Sequence, residues 1–195
     1  MLSVTRASVD PADPTSIKKT FVDIIWYNLF ATNDAIRRLG GSPFSNQSPF
    51  RWYSGSSNDL RLNLQIPRYQ ASPVALASIN AGFQTSGVLR RPLVSLHTTG
   101  DPIIPYWHAA LFQMKVLMKG SALQYVHMPV LRYGHCNFKV YEVLAGFAVL
   151  VLKVSGQDLL VTPAALPNAQ EQQPLRDLAG KHGARPKIVE RGAAD

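Results

Sequence analysis

Two short apolar runs of strand length, residues 92–97 and 123–130, flank a stretch with helical periodicity, and no other feature narrows the possible folds as far. In that stretch Trp107, Ala110, Leu111, Met114, Leu117 and Met118 recur on one helical face. Strands joined through a helix run parallel, because the crossover returns the chain to the end where the first strand began. Pro129 has no N–H to give to a ladder, which assigns the second run to the edge of its sheet, as the last strand. A parallel sheet needs cover on both faces and more than two strands. The sheet is therefore incomplete as written.

The residues before this unit read as helices and loops. Thr15 or Ser16 can cap a helix to about Leu39, in which Ile17, Phe21, Ile24, Ile25 and Leu29 follow helical spacing and Gly40-Gly41 ends the run. Residues 42–55 are rich in Ser, Asn, Pro and aromatics and read as a loop. Asn58 or Asp59 can start a helical stretch ending at Pro67, and residues 73–81 form a short helix with proline in its first turn. After the second strand, Asn137 can cap a last helix to about Val154. That helix is apolar on nearly all sides and is expected to be buried. The expected organisation is a mainly helical segment over 1–84, an α/β portion over 85–155, and a disordered tail over 156–195, where Pro, Gln, Ala and Gly show weak periodicity.

The net charge of +8 arises within residues 1–155, where 15 Lys and Arg face 7 Asp and Glu. A basic balance suits nucleic acid or anionic membrane. Here the cations are dispersed as isolated pairs such as Lys18-Lys19, Arg37-Arg38 and Arg90-Arg91, so no nucleic-acid partner is expected. The longest apolar run, residues 143–152, is too short to span a bilayer, and the first residues lack the apolar core of a secretory signal, so no membrane partner is expected. A single cysteine, Cys136, excludes an internal disulfide and any multi-cysteine metal site.

Two loops carry the chemistry. The first run closes with Thr98-Thr99-Gly100-Asp101-Pro102-Ile103-Ile104-Pro105, and the second with Tyr133-Gly134-His135-Cys136-Asn137-Phe138. Over about residues 85–155 the chain resembles the end of an α/β hydrolase. In that family the acid of a catalytic triad follows the seventh strand, the histidine follows the eighth, and both come after the nucleophile in chain order. The resemblance implies Asp101 as acid and His135 as base, with residues 1–84 in the place of the lid. It implies a serine hydrolase of carboxylic esters or related acyl compounds, with a small acyl substrate and no cofactor. Glycines 100 and 134 leave room for tight backbone beside each group.

Taken singly, Asp101 also reads as a cap of the following helix and His135 as a residue of a surface loop. The chain departs from the family in one respect: it contains no Gly-x-Ser-x-Gly. The serine-glycine cluster at residues 53–59 follows no strand and reads as a loop with helix-capping hydroxyls. Nucleophile and oxyanion donors would come from upstream sequence or a partner chain, and this chain alone is expected to be inactive. The alternative is a non-catalytic interaction module that keeps the end of the fold. His97, four residues before Asp101, reads as a buried, hydrogen-bonded histidine rather than a metal ligand, since no ligand pair has tight helical spacing. Cys136 reads as a small buried filler. Trp26, Tyr27, Phe30, Trp52 and Tyr53 suit an acyl pocket and plain core equally.

Overall fold

A computed structural model describes residues 1–48 and 51–189. Residues 49–50 of the expected loop and 190–195 of the expected tail lie outside them. The chain forms two compact units, Met1–Thr85 with Pro102–Pro105, and Ser86–Asp101 with Tyr106–Asp195.

The first unit is helical. It contains α1 (Leu2–Thr5), α2 (Thr15–Leu39), α3 (Asp59–Gln65) and α4 (Pro73–Ser78), the last continuing into a π-helical turn over Ile79–Phe83. Gly40 ends α2 in the left-handed conformation, φ +73°, where glycine carries no Cβ penalty. The start of α2 differs from expectation. Neither Thr15 nor Ser16 caps it; Asp13 Oδ1 instead accepts from the Thr15 N–H and hydroxyl, while Ser16 Oγ accepts from the Asp10 N–H. The wrapped face of α2 is consequently its polar one, with Ser16 and Thr20 buried, and the stripe of Ile17, Phe21, Ile25 and Leu29 is exposed. Asn58 caps α3 by accepting from the Arg61 N–H, and Ser72 caps α4.

The second unit is α/β. Strands β1 (Leu93–Gly100) and β2 (Tyr125–Tyr133) pair in parallel, Leu93 opposite Tyr125 and Thr98 opposite Val130, with a shift in register between Thr98 and Gly100. Helix α5 (Trp107–Met118) connects them. Val94, Leu96, Val126 and Met128 pack with Ala145, Ala148 and Val149 of α6 (Val140–Ser155). Gly146 permits the close approach: a Cβ there would lie 2.6 Å from Leu96 Cδ1.

Four further expectations are corrected. Helix α5 turns the other way: Trp107, Ala110, Leu111, Met114, Leu117 and Met118 are exposed, while Val116 is buried and Phe112 meets Tyr125 edge-on at 5.3 Å. Two apolar faces share this helix, and spacing alone cannot say which packs. Helix α6 is buried on one side only, with Val143, Phe147 and Val154 exposed. Its cap is not Asn137, whose amide donates to the Tyr133 carbonyl; the Lys139 N–H donates to Glu142 Oε2 at 2.7 Å. The segment expected to be a disordered tail folds onto α6. It forms β3 (Leu160–Val161), α7 (Gln172–Gly180) and β4 (Lys187–Ile188), burying Val161, Leu166, Leu175, Ala179 and Ala184. Most of these side chains are small or widely spaced, so their periodicity is faint although all five are buried.

Candidate functional site

Asp101 stands immediately after β1, and His135 two residues after β2. The parallel pairing puts both at the same end of the sheet. Two backbone ties join the loops: the Gly134 N–H donates to the Gly100 carbonyl at 3.2 Å, and the buried Thr98 hydroxyl donates to the Gly134 carbonyl. Gly134 adopts φ +108°. Gly100 is required by proximity, since a Cβ there would lie 3.0 Å from Tyr133 Cα, which is backbone and cannot swing aside.

Across this junction His135 Nδ1 lies 2.8 Å from Asp101 Oδ2. The Asp101 side chain is 3% exposed and that of His135 is 35% exposed. An ionised carboxylate only accepts, so the contact selects hydrogen on Nδ1, and in the neutral imidazole the lone pair is then on Nε2. The arrangement can take up a proton at Nε2 and stabilise the imidazolium through Asp101. A second imidazole approaches the same oxygen, His97 Nε2 at 3.6 Å from Asp101 Oδ2.

Arg132 and Glu142 brace the loop that carries His135. Arg132 Nη1 and Nη2 donate to the two Glu142 carboxylate oxygens at 2.7 and 2.8 Å, and Nη1 also donates to the Asn137 carbonyl at 2.7 Å. Burial pushes the Glu142 carboxyl up, but the Arg132 hydrogen bonds and the Lys139 N–H outweigh it and hold the group below the usual carboxylate range. The Arg132 guanidinium is pushed further up by its bonds to Glu142.

Cys136 is exposed, contrary to its reading as buried filler. Its backbone is left-handed, φ +49°, which turns the side chain back so that Sγ lies 3.7 Å from His135 Nε2. Adjacent side chains point apart in extended or helical backbone; here they do not, and no sequence signal marks the exception. In the serine-glycine cluster, Asp59 accepts from the Gly55 and Ser56 N–H groups and from the Ser56 hydroxyl, which hold its carboxyl below the usual range. That hydroxyl braces the start of α3.

Sequence reasoning missed a polar network on the sheet face turned away from α6. His127 Nδ1 lies 3.0 Å from Ser95 Oγ and His127 Nε2 lies 3.1 Å from Tyr106 Oη, while Ser95 Oγ and Tyr125 Oη are 2.8 Å apart. The available signal was alternation, with Ser95 and His97 on one strand and Tyr125 and His127 on the next. Among the described residues, no group of three or more His, Cys, Asp or Glu could hold a metal ion, and no helix is long and apolar enough to cross a membrane.

Burial, reinforced by the charge of His97, holds the His127 imidazole below the usual histidine value. A pKa depressed by folding means that its contribution to stability is complete above the unfolded value of about 6.5. That contribution is lost as pH falls through the folded value. Urea midpoints are expected to decline on acidification below about pH 6.5, and less steeply in His127→Gln. His182, pushed down by burial and by Lys181, acts with the same sign and keeps part of the slope in that variant.

Comparison with protein-family models, curated proteins and solved structures gives no match to this chain.

Proposed function

We propose that the chain is the C-terminal portion of an α/β-hydrolase-type serine hydrolase of carboxylic esters or related acyl compounds, supplying the acid Asp101 and the base His135. The observation that carries the reading is the 2.8 Å contact between side chains 34 residues apart, at one end of a parallel strand pair. Local helix or hairpin geometry cannot produce it. In the proposed reaction a serine from upstream sequence or a partner chain attacks the acyl carbonyl while His135 Nε2 takes its proton. Asp101 stabilises the resulting imidazolium, and His135 then gives the proton to the departing alcohol. The donors that stabilise the tetrahedral oxyanion come with the serine. In this reading residues 1–84 are the counterpart, in chain order, of the family's lid segment.

The chain alone is expected to show no turnover of simple activated esters. Turnover that survives purification and is blocked by a serine-directed phosphonate labelling this chain would overturn the separation of nucleophile from base. An in-frame Gly-x-Ser-x-Gly encoded upstream supports the enzyme. A second reading, a non-catalytic interaction module, is favoured by the exposed apolar side chains of α2 and α5. It gains if the chain is expressed as an independent reading frame starting at Met1.

A further inference from the structure

Asp101 holds His135 through one carboxylate oxygen, and His97 approaches that oxygen from another direction. We infer that His97 is a positioning residue for Asp101: its imidazole fixes the oxygen that holds the His135 Nδ1–H, and a chain of side chains along the sheet face fixes His97. The inference rests on the reading of Asp101 and His135 as acid and base.

A carboxylate turns in a broad, two-fold torsional well, and Asp101 stands just past the end of its strand. An oxygen that must face one imidazole nitrogen is held better from two sides than from one. At 3.6 Å the His97 Nε2 is beyond ordinary hydrogen-bond length, and its hold is electrostatic. Burial of Asp101 at 3% exposure strengthens that hold by keeping water away.

His97 is itself well fixed. It lies within β1, and the Tyr106 ring meets it edge-on with centroids 5.5 Å apart. Tyr106 is tied by its hydroxyl to His127 Nε2, and His127 by Nδ1 to Ser95 Oγ, one alternation before His97 on the same strand. The network thus begins and ends on β1, bracing the first position after Asp101 at which the chain returns to the second unit. A role in metal binding does not compete, since among the described residues no group of three or more His, Cys, Asp or Glu, His97, Asp101 and His135 included, could hold a metal ion.

The test is the tautomer of His135 in the full chain, read by nitrogen-15 NMR at a pH where the imidazoles are neutral. The wild type is expected to carry hydrogen on Nδ1, and Asp101→Asn to lose that preference. His97→Phe is expected to reduce the Nδ1–H share relative to Nε2–H by about threefold to tenfold, the range of one modest polar interaction. His97→Gln, which restores an N–H donor of similar reach, is expected to recover most of it. A His97→Phe spectrum identical to wild type overturns the proposal, and so does a His97→Gln no better than His97→Phe, which assigns His97 to packing. If His97→Phe does not fold, Tyr106→Phe decides, because it deletes one oxygen: a smaller Nδ1–H share supports the proposal and an unchanged one overturns it. A wild type without Nδ1–H preference removes the acid–base reading and this inference with it. Failure of His97 alone leaves the response to Asp101→Asn intact.

Discussion

Replacing Arg132 with alanine is expected to lower the stability of the chain by about 3 kcal/mol, the range for removing one partner of a mostly desolvated ion pair. The cost is not the lost attraction alone. Glu142 is 6% exposed at its side chain, and without Arg132 its charge is left in a site built to neutralise it. Glu142→Ala fails differently, leaving the Lys139 N–H at the start of α6 without its acceptor and Arg132 with the Asn137 carbonyl and Tyr141 but without its carboxylate. Both changes loosen residues 134–139, and so should weaken the His135–Asp101 contact as well as the fold. Because folding depresses the Glu142 carboxyl, its contribution is complete above the unfolded value of about 4.3. It is lost as pH falls through the folded value. Chemical denaturation of the single variants, and of Arg132→Met with Glu142→Leu, checks the argument. The double variant is expected to recover much of the loss, because no unpaired charge remains buried. A loss under about 0.5 kcal/mol in Arg132→Ala, the size of an exposed pair, would show that solvent reaches Glu142 freely.

The parts of the site legible in the sequence are those that depend on strand order. Asp101 and His135 each follow an apolar run, the runs are joined through a helix, and parallel pairing then places the two loops together whatever the details of packing. What was not legible depends on which face of an element is covered. The run from 92 to 97 is apolar overall, yet its two polar residues, Ser95 and His97, share the face away from α6, and a hydrogen-bonded network replaces core there. In α5 the stripe of Trp107, Leu111, Met114 and Met118 is the stronger one by hydrophobicity, but Phe112 and Val116 are the residues that pack. Hydrophobic spacing records that a face is apolar and not that a neighbour exists for it. Cys136 failed for a backbone reason, since a left-handed non-glycine residue reverses the side-chain direction that sequence adjacency implies.

The exposed apolar faces and the small two-stranded sheet bear on the same property of the chain. β1 and β2 form a sheet of two strands, one face packed by α6 and the other closed by Phe112 and the polar network. Such a pair is short of the strands that stabilise a parallel sheet. The second unit makes up part of the shortfall from residues after 156. Leu160–Val161 and Lys187–Ile188 pair as a second small parallel sheet, and the Arg185 N–H donates to Asp158 Oδ1 at 2.8 Å, closing the segment over α6.

Leu175→Ala measures how much that closure matters. Leu175 is completely buried, in one cluster with Ala179, Ala148, Val149 and Met128. The variant is expected to cost about 2–5 kcal/mol, through lost transfer free energy plus the cavity left behind. The value should fall toward the lower end, because α7 is nine residues long and can shift inward to collapse the cavity. A tail that contributes nothing to folding would give a change near zero, and Leu175 would then behave like the exposed Leu160 in a matched Leu160→Ala control. The consequence for the site is indirect but definite. Met128 lies five residues before Tyr133 on β2, so a core loosened beneath it should also broaden the His135 signals. Equilibrium unfolding in urea with the His135 resonances followed in parallel would register both effects. Loss of stability with unchanged His135 signals would mean that the Arg132–Glu142 brace holds the loop independently of the core.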